Sequence, residues 1–302
     1  MRAITDMFNP ATRPLLVAEV AQSHDGSLGQ AHAFIDAVAT TGADAIKFQT
    51  HIAAAESTPA EQFRVQFSRQ DTTRYDYWKR MEFSPEQWAG LKIHAQEKGL
   101  IFLSSPFSME AVELLEKLDV CAWKIASGEL DSRRMMGRMA ASGKPLIAST
   151  GMSSRNEIRA LAEQLSQLAP ERHVILHCTT AYPTLAEQVG MNVFTELMDE
   201  LDCPLGLSDH SGTPYPSILA TWLGARVIEV HATFSRHMFG PDVSSSVTME
   251  ELSELARGLD FVHTMRHHPV DKDALAAEKA PLKKLFGKAA YTLRALNSGE
   301  IV

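Results

Sequence analysis

One pattern restricts this chain more than any other: short apolar runs alternate with amphipathic helical stretches, eight times over. The runs lie at 15–20, 45–48, 100–103, 122–125, 145–148, 173–176, 204–207 and 225–230. Runs this short, and apolar on both faces, predict parallel strands buried beneath helices. The intervening stretches have readable starts. Ser84-Pro85-Glu86-Gln87, Ser154-Arg155-Asn156-Glu157 and Thr248-Met249-Glu250-Glu251 are capping boxes, the first with proline at the opening helical position. Gly42, Gly99, Gly143 and Gly224 fall where a helix stops shortly before a strand. Eight strand–helix units in 302 residues predict an α/β chain folded as a (β/α)8 TIM barrel. The rival is a doubly wound open sheet, and the first strand–helix turn, Gln22-Ser23-His24-Asp25-Gly26-Ser27, lacks its Gly-x-Gly-x-x-Gly fingerprint. The expected organisation is a catalytic barrel over 1–270 and a C-terminal segment over 271–302. An insertion at 51–83 follows the second strand. At that length, with Phe63, Phe67, Tyr75, Tyr77 and Trp78, it is expected to be a lid over the barrel mouth, or else a helical decoration or oligomer contact.

Charge and composition exclude whole classes of function. The net charge is −8 with no block of like charge, which argues against a nucleic-acid partner. No apolar run is long enough to span a bilayer, and the N-terminus lacks the apolar core of a signal peptide. The three cysteines show neither metal-finger spacing nor an even disulfide set, as expected of reduced thiols in a cytoplasmic protein. An acidic chain that binds an anion must gather its positive groups locally.

Barrel enzymes place their reacting groups at the C-terminal ends of the strands. Here those ends carry Glu19; Lys47 with Gln49; Ser104-Ser105; Lys124 with Ser127 and Glu129; Ser149-Thr150; His177 to Tyr182; Ser208-Asp209-His210; and Glu229 with His231. Nearly every strand thus ends in a group able to ionise, hydrogen-bond or ligate a metal. Two lysines and several hydroxyls at one mouth supply the local positive site, suited to a phosphate beside a carboxylate. Lys124 follows a buried-strand pattern, where an unpaired ammonium is costly, although a snorkelling surface position is the alternative. His210 and His231 end consecutive strands and are candidate ligands for a divalent metal. His24, His51, His177 and His237 are further candidates that spacing cannot choose among, whereas His263, His267 and His268 read as surface. Glu19 is a candidate general base, an ion-pair partner of Lys47, or both.

These motifs, taken in order, resemble the N-acetylneuraminate (sialic acid) synthase family. Leu16-Val17-Ala18-Glu19-Val20 with Ser23-His24-Asp25-Gly26 resembles the family's opening. Gly42-Ala43-Asp44-Ala45-Ile46-Lys47-Phe48-Gln49, Phe102-Leu103-Ser104-Ser105-Pro106-Phe107 and Lys124-Ile125-Ala126-Ser127-Gly128-Glu129 follow. Ser149-Thr150-Gly151-Met152, Leu207-Ser208-Asp209-His210, Val227-Ile228-Glu229-Val230-His231 and Gly240-Pro241-Asp242 complete the set. The resemblance implies an enzyme that condenses phosphoenolpyruvate with N-acetylmannosamine or a related amino-sugar aldehyde and releases phosphate. It implies that Lys47, Ser105, Lys124, Ser127, Ser149 and Ser208 hold phosphoenolpyruvate. It further implies that His210 and His231 bind Mn2+, Co2+ or Mg2+, and that Glu19 is the catalytic carboxylate. Lys124 and His231 join Glu19 as candidate catalytic residues, and Gln49 and Thr180 are candidate substrate contacts. Glu129, Tyr182 and Asp242 match sugar-contacting positions. A homodimer is implied as well.

Departures from the pattern are expected to matter. Ser23 and Thr180 stand where the family often has Asn, and Ala232 follows His231 where Phe is usual. The family's C-terminal antifreeze-like domain lends an arginine to the sugar's acyl group. Here the tail 291–302 resembles only the first strand and turn of that domain, so a loosely held acceptor is expected, with Arg64, Arg69 and Arg74 of the insertion as candidate substitutes. The alternatives are the same reaction on another sugar, of legionaminic, pseudaminic or spore-coat polysaccharide type, or a non-catalytic barrel that binds a phosphorylated ligand and metal.

Overall fold

A computed structural model describes residues 2–63 and 65–301; Arg64 lies outside them. Eight parallel strands, with helices between, form a nearly closed (β/α)8 barrel. They are β1 (Leu15–Ala21), β2 (Ala45–Thr50), β3 (Ile101–Pro106), β4 (Trp123–Ile125), β5 (Leu146–Ser149), β6 (His173–Cys178), β7 (Leu205–Asp209) and β8 (Val227–Thr233). The hydrogen-bonded order runs β3-β2-β1-β8-β7-β6-β5-β4, and β3 lies against β4 to bring the ends of the sheet together. A ninth short strand, β9 (Ser246–Thr248), pairs with β8. Every strand except β4 runs past the apolar run that predicted it. The reason is chemical for most of them: the added residues, such as Gln49-Thr50, Ser104-Ser105, Ser149 and Ser208-Asp209, are polar ones of the mouth, which an apolar signal does not count.

The helices are α1 (Leu28–Val38), α2 (Ala53–Glu56), α3 (Arg74–Met81), α4 (Pro85–Glu97), α5 (Met109–Lys117), α6 (Arg133–Ala141), α7 (Arg155–Leu168), α8 (Met191–Glu200), α9 (Tyr215–Leu223), α10 (Met249–His267), α11 (Lys272–Glu278) and α12 (Ala280–Phe286). All three expected capping boxes form: Ser84 with Gln87, Ser154 with Glu157, and Thr248 with Glu251. Gly224 closes α9 in the left-handed region, at φ 115°, where a side chain would be strained.

Side chains alternate between the two faces of each strand, and this divides the core. Leu16, Ala18, Ile46, Phe102, Ile125 and Val230 face outward and pack with helix residues such as Phe34, Trp88 and Leu161. Leu15, Val17, Ala45, Ile101, Leu103, Ala122, Ile147, Val174, Leu176 and Val227 fill the interior, and Met7, from a 3-10 turn (Ile4–Phe8), packs with them. The same alternation carried one step further points the polar strand ends inward above that apolar floor. Glu19 lies level with Lys47 on one side and His231 on the other, Gln49 with Ser105, and Ser208 with Cys178 and Glu229.

The insertion is not bare loop. It holds α2 and α3, and an aromatic cluster links Phe63 to Phe67 (5.2 Å), Phe67 to Tyr77 (4.9 Å) and Tyr77 to Trp78 (5.1 Å). Arg80 of α3 fastens it to the β1–α1 turn, donating to the Asp25 carbonyl (2.8 Å) and carboxylate (2.6 Å), and it also pairs with Asp71 (2.8 Å).

The barrel's compact unit ends at His263, within α10, ahead of the boundary expected at 270. The last buried residue of that helix is Val262. The second unit, from Thr264 on, carries the end of α10 with α11 and α12, and the described part of 291–302 contains no strand. Among the described residues no helix is long and apolar enough to cross a membrane.

Candidate active site

The C-terminal ends of the strands open into a cavity of about 570 Å³, a volume typical of small-molecule sites. At its floor two ammonium groups and two carboxylates interleave. Lys47 Nζ lies 2.8 Å from Glu19 and 3.6 Å from Glu229, and Lys124 Nζ lies 3.6 Å from the same Glu229 oxygen. All four are at most 6% exposed, so the Lys124 ammonium is a site group and not a surface one. Each lysine also reaches a hydroxyl, Lys47 to Ser105 (3.3 Å) and Lys124 to Ser149 (2.7 Å), and Ser208 donates to Glu229 (3.3 Å).

Charges this close and this dry shift one another. Burial pushes the Glu19 carboxyl up; Lys47 pulls it down and Glu229 pushes it up again, for a net rise. Burial alone would raise Glu229 too, but Lys124 and Lys47 draw it below the ordinary value. Lys47 is penalised by burial yet held above its usual value by Glu19 and Glu229, whereas burial leaves Lys124 lowered. Burial thus leaves the Glu19 carboxyl easier to protonate and the Lys124 ammonium easier to deprotonate than usual, while Lys47 and Glu229 are held in their charged forms.

Higher in the mouth, His210 and His231 face each other with ring centroids 5.2 Å apart, and Tyr182 stacks on His210 at 4.3 Å. His210 sits in a turn closed by Asp209, which accepts from the Ser211 amide and hydroxyl, both at 2.9 Å. Its Nδ1 lies 2.9 Å from the Thr179 carbonyl. A carbonyl only accepts, so that nitrogen carries the proton and Nε2 keeps its lone pair. His231 Nδ1 is buried with no hydrogen-bond partner, and the nearest carboxylate, Asp242, is 3.9 Å away. Burial lowers the basicity of both rings, so both are neutral. The same effect, with Glu19 adding to it, pushes Asp242 up to about 7. Two neutral imidazoles suit a divalent cation, which would take the His210 Nε2 lone pair from the Tyr182 hydroxyl that meets it at 3.3 Å. Among the described residues no three His, Cys, Asp or Glu side chains converge to hold a metal, so water or substrate would complete its coordination.

Glu19, Lys47, Gln49, Ser105, Lys124, Ser127, Ser149, Thr180, Tyr182, Ser208, His210, His231 and Asp242 all line this one cavity. Glu129 does not. It stands on a one-turn 3-10 segment (Ser127–Glu129), half-buried and within electrostatic reach of Glu56. The four further histidines are also off the wall. His177 bonds the Val189 carbonyl on the barrel's outside, His24 packs on Phe83, His237 is exposed, and His51 lies behind Gln49, Trp78 and Phe107 of the wall.

The structure gives Glu229 a part that the sequence did not assign, and bears on the expected lid. Glu229 bridges the two lysines, and its position two residues before His231 on one strand face was the available signal. Phe63, Val65, Phe67, Arg74, Tyr77 and Trp78 of the insertion form the outer wall, which makes the insertion a cover over the mouth. Arg74 also pairs with Glu61 (2.8 Å) and lies 5.4 Å over the Trp78 ring. At Gly151 a Cβ would meet Thr180 Oγ1 at 2.2 Å and Cys178 Sγ at 2.9 Å, and the bare backbone there accepts Ser127 as partner to its amide (2.9 Å).

Residues 34–270 match the NeuB family. The chain belongs to that family. It is 33% identical over 272 residues to the N,N'-diacetyllegionaminic acid synthase of Campylobacter jejuni, covering 88% of this chain and 81% of that one. With the human N-acetylneuraminate-9-phosphate synthase it shares 31% over 296 residues, 95% of this chain and 80% of the relative. The N-acetylneuraminic acid synthetase of Leptospira borgpetersenii, solved with citrate, superposes with a TM-score of 0.77 at 25% identity, covering 92% and 94% of the two chains. The NeuB-family match begins after β1 and takes in every other strand that lines the cavity.

Proposed function

We propose that this NeuB-family barrel condenses phosphoenolpyruvate with N-acetylmannosamine or a related amino-sugar aldehyde, as a carbon–carbon bond-forming transferase. The observation that supports the reading most is the floor of the cavity, where Lys47 and Lys124, each with a serine hydroxyl, meet Glu19 and Glu229 below the histidine pair. Lys47 and Lys124, with Ser105, Ser149, Ser127 and Ser208, hold the phosphate and carboxylate of phosphoenolpyruvate. His210 and His231 would hold a divalent cation, which would supply Lewis acidity toward the aldehyde oxygen. Because the four floor charges cancel, a multiply charged anion entering this site is favoured by such a cation.

Carbon 3 of phosphoenolpyruvate bonds to the aldehyde carbon, whose oxygen takes a proton from solvent water, leaving an oxocarbenium-like centre at carbon 2. Glu19 takes a proton from the water that adds there, and carbon–oxygen cleavage then expels phosphate. The lysines hold the enolpyruvate in register while Tyr182, Asp242 and the insertion's aromatic wall bound the space left for the acceptor. The relatives' different acidic sugars leave the acceptor defined as a class of amino-sugar aldehydes. The reading includes pairing of the chain into a homodimer, which sedimentation of the purified protein tests. Phosphate release from phosphoenolpyruvate is to be measured across a panel of amino-sugar aldehydes, with metal added and with chelator. Release that requires both an aldehyde and the metal is expected. No release with any member would leave a binding barrel, and metal-independent release would remove the histidine pair's role.

A further inference from the structure

The reading of Glu19 as the catalytic carboxylate, on which this inference rests, raises the question of what orients it. Its second oxygen, Oε1, accepts from the Gln49 side-chain NH2 at 3.0 Å. The Gln49 carbonyl then points away from Glu19 and receives the Gln22 amide at 2.9 Å and His51 Nε2 at 3.2 Å. His51 is the first residue beyond β2, is 4% exposed, and lies between the rings of Trp78 (3.9 Å) and Phe107 (4.3 Å). Its Nδ1 meets the Glu56 carboxylate at 2.9 Å, and that carboxylate also takes the Ile52 amide.

Donor and acceptor chemistry fixes the protons along this chain. A carboxylate only accepts, so Gln49 must turn its NH2 to Glu19 and its oxygen to His51. An amide oxygen also only accepts, so His51 Nε2 must carry a hydrogen; the Glu56 carboxylate demands one on Nδ1 as well, so this arrangement is that of an imidazolium paired with Glu56. Burial works against that charge while Glu56 favours it, and a neutral His51 would keep its one hydrogen on Nδ1 toward Glu56, so that its Nε2 lone pair would face the Gln49 oxygen. The amide would then be driven to flip, setting oxygen against oxygen at Glu19. We propose that His51 is a positioning residue: ion-paired with Glu56 it carries hydrogens on both ring nitrogens, and its Nε2 hydrogen fixes the Gln49 amide and so holds Glu19 in its working orientation. Trp78, one of the two rings that clamp His51, belongs to the insertion, so closure of the cover and the setting of Glu19 share a side chain.

The test uses His51→Phe, which keeps a ring between Trp78 and Phe107 but removes both N–H groups. With phosphoenolpyruvate and the best aldehyde acceptor, it should lower kcat by about ten- to hundredfold, the worth of one charge-assisted hydrogen bond, with KM for phosphoenolpyruvate within about twofold. The double variant H51F/Q49A should be no slower than Q49A alone, because His51 acts only through Gln49. A near-normal kcat in H51F, or losses that multiply in the double variant, overturns the proposal. Should H51F fail to fold, the wild-type chain still decides. In protein labelled with 15N-histidine, His51 Nε2 is expected as an N–H nitrogen at neutral pH, and a proton-free Nε2 refutes the assignment. A wild-type chain that turns nothing over would instead remove the proposed function and leave this hydrogen-bond geometry to the labelling experiment.

Discussion

Replacing Glu19 by Gln keeps the side chain's shape and removes its charge, and the structure lets the consequence be worked through. The carboxylate serves two donors at once, Lys47 at 2.8 Å and Gln49 at 3.0 Å. An amide has one accepting oxygen. If that oxygen faces Lys47, its NH2 confronts the NH2 of Gln49; if it faces Gln49, its NH2 confronts an ammonium. In either case Lys47 and Lys124 are left to share Glu229 alone, 3.6 Å from each. Breaking a buried pair by removing one partner costs about 3–5 kcal/mol. At roughly 2–4 °C per kcal/mol for a large domain, that lowers the thermal midpoint by about 6–20 °C. Phosphoenolpyruvate replaces the missing negative charge, so its addition should raise the midpoint of the variant by more than that of the wild type. Turnover should fall by roughly 10²–10⁴, the range for a lost acid–base group. Thermal denaturation with and without phosphoenolpyruvate, together with phosphate release, reads all three effects. Near-normal turnover would remove Glu19 from the chemistry, and an unchanged midpoint would refute the buried ion pair.

Three other outcomes follow from the same geometry. The double variant His210→Ala/His231→Ala should lose bound manganese by elemental analysis and lose chelator sensitivity, since the two rings are the site's available neutral donors. Arg74→Ala should raise the acceptor KM by about ten- to hundredfold, one charged hydrogen bond, and leave KM for phosphoenolpyruvate unchanged; a shift in the latter would place Arg74 elsewhere. His24, buried and accepting the Gly26 amide at Nδ1 (3.1 Å), has its pKa lowered to about 3, chiefly by burial. Between that value and about 6.5 the unfolded chain binds the extra proton, so stability is lost as pH falls through this window, by about 1.4 kcal/mol per unit. His24→Asn, which keeps an acceptor for Gly26, should show a correspondingly shallower acid slope in urea denaturation.

Much of this was legible before the structure, for a physical reason. A barrel strand alternates inward and outward, so once an apolar run is recognised, the polar residue two positions beyond its last inward member must enter the mouth. That logic places Glu19 after Val17, Lys47 after Ala45, Lys124 after Ala122 and Ser149 after Ile147, and all four line the cavity. It also reaches Glu229 after Val227, whose part became clear only when the two lysines were seen to converge on it. It stops where the chain leaves the strand. Glu129 sits on a short turn whose direction no periodicity reports, and it falls outside the cavity wall. The insertion's aromatic residues announced a packed element, but lid and decoration have the same composition. Docking of Arg80 onto the Asp25 turn puts the segment over the mouth, and that contact joins residues 55 positions apart.

In the proposed reaction phosphate leaves by cleavage of its bond to carbon after water adds at carbon 2. Turnover of phosphoenolpyruvate and an amino-sugar aldehyde in 18O-labelled water, with mass analysis of the phosphate released, tests it directly. Unlabelled phosphate is expected, formed one for one with a condensed sugar acid three carbons longer than the aldehyde. Phosphate carrying one 18O would mean that water attacks phosphorus, and phosphate formed without that acid would mean hydrolysis without condensation; either result refutes the proposed reaction.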